Sequence, residues 1–336
     1  MRAVSALRLL APMGVALGLA LGAGAACAAA AGGPVCVVPA KAGGGFDFTC
    51  KLVQAMWQDQ RPAGAPPLAL DYVPGGIGAV AFDRAVREQL ADPQRLIAFS
   101  SGSLLNLAQG KFGPHRHDSV RWLAVVGTDY GVIAVRQGSR IASLRELQQE
   151  LSRAPSRVVF GAGGTVGSQD WVKAALLVRA ARQDHRAMRF VSFEGGGQAL
   201  AALQGGHVDV VAGDASEVRA LLEHKPAAIR VIAVLAQERL QGALAAVPTA
   251  REQGVELVWP TVRGIYLGPG VPDADYRHWR QFFAGAMAAP GFAALQEAHG
   301  MVPFSLGEQP IDGFVAQQAA RFRALAKGLN LRVPPQ

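Results

Sequence analysis

Cys36-Val-Val-Pro-Ala-Lys-Ala-Gly-Gly-Gly-Phe-Asp-Phe-Thr-Cys50 reads as a short strand, a glycine-rich turn and the first turn of a helix, with a cysteine at each end. Gly43, Gly44 and Gly45 free the backbone to take positive φ and let a ligand approach the main chain. Asp47 is placed to N-cap a helix that runs to Gln60. The unpaired N–H groups of such a helix start carry partial positive charge, which suits an anion. The first ordered element of the chain is therefore expected to hold something negative by its backbone.

The preceding residues say where those cysteines reside. Residues 1–30 carry Arg2 and Arg8, no acidic residue, an apolar run from Leu9 to Leu21, and small residues ending Ala28-Ala29-Ala30. This is read as a secretory signal peptide, because the apolar core is too short and alanine-rich for a membrane anchor. Cleavage is expected between Cys27 and Gly32. Cys27 then leaves with the peptide, and Gly24-Ala25-Ala26-Cys27 is a poor lipidation site. Cys36 and Cys50 remain, and an oxidising compartment favours their bonding, with two buried free thiols as the alternative. Closing a loop of this length stabilises by roughly 3 kcal/mol in the chain-entropy model.

The full chain of 336 residues has a formal charge of +8, and loss of Arg2 and Arg8 leaves 8 − 2 = +6. The basic residues are dispersed, with no block interleaved with aromatics and no nucleic-acid motif, so nucleic acid is not expected. Half of the residues are hydrophobic, enough for a large core, and the length suits two lobes better than one.

Short apolar runs alternate with helical patterns, the signature of an α/β protein with two parallel or mixed sheets flanked by helices. Strands are expected at Val35–Pro39, Leu68–Val73, Arg95–Ser100, Trp122–Val126, Gly131–Arg136, Val158–Gly161, Met188–Ser192, Val208–Gly213, Arg230–Leu235 and Gly264–Gly268. Ser143-Leu-Arg-Glu146 is a capping box opening a helix. Gln169–Arg182, Arg277–Ala288 and Ile311–Leu329 have helical spacing. One lobe is expected from residues 34–130 plus 247–336, the other from 131–246, with a ligand cleft between them.

Glycine and hydroxyl loops recur where strands end: Val73-Pro-Gly-Gly-Ile-Gly-Ala79, Phe99-Ser-Ser-Gly-Ser-Leu-Leu-Asn106, Phe160-Gly-Ala-Gly-Gly-Thr-Val-Gly-Ser-Gln-Asp170 and Phe193-Glu-Gly-Gly-Gly-Gln198. In open α/β sheets ligands sit outside the carboxyl ends of strands, so loops donating N–H and O–H groups together suit carboxylates. Lys41, a cation beside the triglycine turn, can pair with a further carboxylate. Of the nearby acids, capping accounts for Asp47 and serves for Asp170, whereas Asp214 either caps its helix or faces the cleft.

Enzyme templates fit badly. The Gly161–Ser168 loop lacks the lysine of a phosphate-binding loop, and there is no Gly-x-Ser-x-Gly elbow. Ser100, Ser101 and Ser103 have no histidine base evident in the sequence. His115-Arg-His117-Asp118 is read as a solvated cluster rather than a metal site. No catalytic residue, metal or cofactor is expected.

At this point the chain resembles the extracytoplasmic solute receptors of the tripartite tricarboxylate transporters, the family that includes the Bordetella uptake receptors. The likeness rests on Pro39-Ala-Lys-Ala-Gly-Gly-Gly-Phe-Asp47, Pro74-Gly-Gly-Ile-Gly-Ala79, Gly161-Ala-Gly-Gly-Thr-Val-Gly-Ser168, Phe193-Glu-Gly-Gly-Gly197 and Val247-Pro-Thr-Ala-Arg-Glu-Gln-Gly254. Cys36 with Cys50, Ser103-Leu-Leu-Asn-Leu-Ala-Gln-Gly-Lys111 and the stretch from Trp122 to Gly131 bring it closest to the citrate-type receptors. The resemblance implies a two-lobed, monomeric periplasmic binding protein. It would capture a di- or tricarboxylate, citrate first, and deliver it to permease subunits in the membrane. It implicates Gly43, Gly44, Gly45 and Phe46, then Ser100, Ser101 and Ser103, then Gly164, Thr165 and Ser168, with Gly196 and Asp214. Glu194 stands where the family form commonly has a lysine, which removes a positive charge. A receptor feeding a membrane sensor kinase, and an exported hydrolase working through the serine loop or the His115–His117 cluster, are the rival readings.

Overall fold

The computed structural model describes residues 32–225, 227–304, 306 and 310–335. The expected signal peptide and Cys27 lie outside the described residues. The chain opens with β1 (Val35–Val38), α1 (Gly45–Gln60), β2 (Ala69–Tyr72), α2 (Ala79–Arg87), β3 (Arg95–Ser100), α3 (Ser101–Ala108) and β4 (Arg121–Arg136). It continues with α4 (Leu144–Arg153), β5 (Val159–Gly163), α5 (Gln169–Ala180), β6 (Arg189–Phe193), α6 (Gly196–Gln204), β7 (Val210–Asp214), α7 (Ala215–His224) and β8 (Ile229–Leu235). It closes with β9 (Pro260–Leu267), α8 (Asp273–Ala288), α9 (Phe292–Ala298) and α10 (Ile311–Gly328).

The strands follow the order β2-β1-β3-β9-β4-β7-β5-β6, with β8 also on β4. In one half β1 is parallel to β2 and β3, and β9 runs antiparallel to β3 and β4. In the other, β5 is parallel to β6 and β7, while β7 and β8 lie antiparallel to β4. The α/β architecture is the one expected. Two separate strands were expected at Trp122–Val126 and Gly131–Arg136, and they are one strand of 16 residues. Gly127-Thr-Asp-Tyr130 does not turn, because β9 stays paired through Tyr130 and Pro260. The register shifts at Trp122/Ala124 and Val125/Gly127 instead, as extra residues do in a bulged ladder. β4 thus runs from one half of the ladder into the other.

Asp47 is not the N-cap of α1. Gly44 takes that place with an extended backbone, and Asp47 lies in the first turn. Its carboxylate reaches back to accept the Gly43 N–H at 2.8 Å, and also accepts from Lys51 Nζ and the Tyr72 hydroxyl, each at 2.8 Å. The helix ends at Gln60 because Arg61 precedes a proline and takes φ −63°, ψ 146°, the extended region such residues prefer. Cys36 of β1 and Cys50 of α1 are bonded, which ties strand and helix together on either side of the glycine turn. The Ser143 cap forms as expected, its hydroxyl accepting the Glu146 N–H at 3.2 Å.

Behind the site the core is apolar and aromatic. Phe99 and Trp122 meet edge to face at 4.7 Å between ring centres, and Phe82, Phe160 and Phe283 are fully buried. Each such ring contributes on the order of 1.5–3 kcal/mol by leaving water. That packing fixes the strand ends from which the loops of the site project. No helix among the described residues is long and apolar enough to cross a membrane.

Candidate functional site

The loops that follow β1, β2, β5 and β6, with the end of α3, surround a cavity of about 670 Å³. Its walls include Lys41, the Pro74–Gly76 turn, Asn106, Lys111, Gly164 with Thr165, and Glu194. This is the position that strand direction favours, because the carboxyl ends of the parallel strands of both halves point there. Ile77 is held at φ 54°, ψ 50°, a strained conformation for a β-branched residue. Its side chain packs over Gly164, where any Cβ would collide with Ile77 Cδ1 and φ is +101°. Gly164 is therefore required twice over, by its backbone and by its neighbour.

The polar groups of the cavity are unevenly satisfied. Lys41 and Glu194, both exposed, pair at 2.5 Å across the mouth. Lys111 Nζ donates to the Val166 carbonyl at 2.5 Å and, among the described residues, makes no ion pair. Burial without an acid partner pushes its ammonium pKa down to about 8. Asn106 is only 3 % exposed, and its amide oxygen has no hydrogen-bond partner among the described residues.

Beside the cavity lies a buried charge cluster. Arg263 Nη2 donates to Asp129 Oδ2 and to Asp214 Oδ2, 2.8 Å from each. Lys173 Nζ lies 2.9 Å from both Asp214 and Asp170, and donates to the Gly213 carbonyl at 2.6 Å. Burial opposes the charge on Asp214, but Lys173 and Arg263 outweigh it and hold its carboxyl below the usual range. The same contacts overcome the burial of Lys173 and Arg263 and raise both of their pKa values.

Glu217 completes the cluster. Its Oε1 accepts the Gly45 N–H at 3.3 Å, and its carboxyl lies so close to Gly196 that a Cβ there would overlap it. Burial first, then Asp214 and Asp170, push its pKa up to about 8. The triglycine turn is thus already serving two acids of the chain itself, Gly43 giving its N–H to Asp47 and Gly45 to Glu217.

A family model for the tripartite tricarboxylate transporter receptors matches residues 108–331, two thirds of the chain. The chain belongs to that family. No match was found among curated proteins. Among solved structures, the receptor is similar to MatC from Rhodopseudomonas palustris with bound malate, at 21% identity and a TM-score of 0.73, covering 87% of this chain and 98% of that one. An R. palustris protein with adipate gives 18% identity and a TM-score of 0.77, covering 89% and 98%. The periplasmic binding protein BugD gives 17% identity and a TM-score of 0.76, again covering 89% and 98%. These likenesses fix the fold.

The receptor places the expected site residues in three groups. Lys41, Gly164 and Thr165 line the cavity. Gly43, Gly44, Gly45, Phe46, Gly196 and Asp214 do not; Gly44, Gly45 and Gly196 lie against Glu217, and Asp214 is committed to Lys173 and Arg263. It makes no cap bond on α7. The serines and Asp170 make contacts within the chain. Ser103 Oγ accepts the Ser100 N–H at 3.3 Å, Ser101 Oγ accepts the Val262 N–H at 2.9 Å, and Ser168 caps α5 through the Trp171 N–H at 3.4 Å. Asp170 accepts from Gly163 N–H at 2.8 Å rather than capping. Among the described residues no histidine bonds to these serines; His115 instead meets Asp83 at 2.9 Å.

Sequence reasoning gave no role to Lys111, Asn106, Glu217, Lys173 or Arg263. Lys111 and Asn106 stood inside a quoted motif without being singled out. A lysine and an arginine within apolar strand and helix patterns were the available signal for the cluster.

Proposed function

We propose that this protein is an exported, periplasmic receptor that captures a small organic acid anion by its carboxylate and presents it to membrane permease subunits, without covalent chemistry. One observation carries the reading: Lys111, a cation with no acid partner among the described residues, borders the cavity. A carboxylate there gives Lys111 the charge partner it lacks among the described residues. Family membership supports the class of ligand, as do malate and adipate in the two R. palustris proteins of the same fold. Two lobes, residues 34–130 plus 247–336 and residues 131–246, would close over the ligand about β4. The contacts of Lys41 with Glu194 and of Gln109 with the Gly167 carbonyl, at 2.8 Å, would be closure contacts. Citrate, succinate, tricarballylate and glutamate form the first titration set. Calorimetric silence across that set and across monocarboxylates would remove the carboxylate reading.

A further inference from the structure

Two positions near the cavity are suited by chemistry to a carboxylate, and the chain has filled one of them. The N-terminus of α1 presents its glycine N–H groups, but Gly45 already donates to Glu217 and Gly43 to Asp47. Among the described residues, three more acids of the cluster, Asp129, Asp170 and Asp214, stand against two cations, Lys173 and Arg263. Burial first, and then the charges of Asp214 and Asp170, make Glu217 retain its proton up to about pH 8. A ligand carboxylate, ionised at neutral pH, would meet the same repulsion. With the Gly43 and Gly45 N–H groups committed and these acids beside them, this end of the cleft is disfavoured for a further anion.

The other position is the cavity. Its two cations are not equivalent, because Lys41 is already neutralised by Glu194 while Lys111 faces no acid among the described residues. One unmatched positive charge calls for one carboxylate. The rest of the wall is contributed largely by carbon: Pro39, Ala40, Pro74, Ile77, Ala79 and Phe193. The hydroxyls of Thr165 and Ser192 are also on the wall, but a second carboxylate at the far end of a ligand would be desolvated against these side chains without a free cation to meet it, which is costly.

We propose that the ligand of this receptor carries a single carboxylate, held at Lys111, on an apolar aliphatic or aromatic body that lies against Ile77 and Phe193. The proposal rests on the carboxylate-receptor reading and narrows it to monocarboxylates.

The test is isothermal titration of the exported protein with pairs that differ by one carboxylate, hexanoate against adipate and benzoate against terephthalate, with citrate beside them. The expected result is that at least one monocarboxylate binds about tenfold or more tightly than its dicarboxylate partner and than citrate. Lys111→Met, checked for folding by circular dichroism, is expected to weaken that monocarboxylate by about tenfold or more. Adipate, terephthalate or citrate binding as tightly as the monocarboxylates, or undiminished binding by Lys111→Met, overturns the proposal and leaves the receptor reading standing. Silence toward all five overturns the receptor reading as well.

Discussion

Arg263 and Asp214 meet at 2.8 Å as a buried ion pair joining β9 to β7, two strands that are not neighbours in the ladder. The same guanidinium nitrogen holds Asp129 of β4 at 2.8 Å, so one side chain links three strands beneath the site. Neither partner is more than 3 % exposed in its side chain.

Replacing that arginine strands charge. Arg263→Met leaves Asp129 buried without its cation and Asp214 with Lys173 alone, which costs about 3–5 kcal/mol. Denaturant unfolding measures it, and a loss below about 1 kcal/mol would mean that the carboxylates find other partners.

Glu217 makes stability depend on pH. Its folded pKa of about 8 lies above the ordinary 4.5, so the folded protein keeps a proton that the unfolded chain releases. The contribution is complete below pH 4.5 and is lost as pH rises toward 8. Glu217→Gln cannot titrate, and should flatten this decline when unfolding free energies are compared between about pH 5 and about pH 9.

Two hydroxyls considered together in the sequence should behave differently. Ser101→Ala leaves the buried Val262 N–H without its acceptor and should cost about 1–3 kcal/mol of stability. Thr165 is exposed on the cavity wall, so Thr165→Ala should spare stability and, if its hydroxyl meets the carboxylate, weaken binding by about 1–3 kcal/mol. Thermal melts and titrations on the same two variants separate the outcomes.

Gly164→Ala should disable the cavity. The new methyl meets Ile77 Cδ1 in a backbone with φ +101°, so the loop must move or the residue must strain by about 1–3 kcal/mol. Binding per folded molecule should fall sharply, and an unchanged affinity would show that the Gly164 loop does not touch ligand.

The Cys36–Cys50 bridge closes a loop with a sequence separation of 14. Cys50→Ser should lower stability by roughly 3 kcal/mol, read by denaturant unfolding against the oxidised protein.

The arrangement of elements was legible because it is written in local periodicity. Runs such as Arg95–Ser100 and Arg230–Leu235 read as strands, and Ser143 with Glu146 as a helix start, and the structure has each of them. The joined β4 was not legible. Gly127 and Asp129 look like turn residues, and only their pairing with β9 keeps them extended.

For the site, sequence identified the loops but not the side chains that their donors meet within the chain. Gly43–Gly45 was correctly seen as a backbone turn rich in donors. Which carboxylates those donors serve depends on α7, which starts at residue 215, far along the chain. Glu217 reaches Gly45 across 172 residues of sequence, and Arg263 reaches Asp129 across 134. No spacing rule spans such distances.

The sequence by itself determined the α/β alternation, the glycine loops at strand ends, the cysteine pair and the likeness to a receptor family, because each is a local pattern of residue types. Only the tertiary structure decided which donors are free and which are spent. Hydrogen bonds and charges are matched by position in space, so the folding of the chain left Lys111 without an acid partner among the described residues and gave the Gly43 and Gly45 N–H groups acceptors from within.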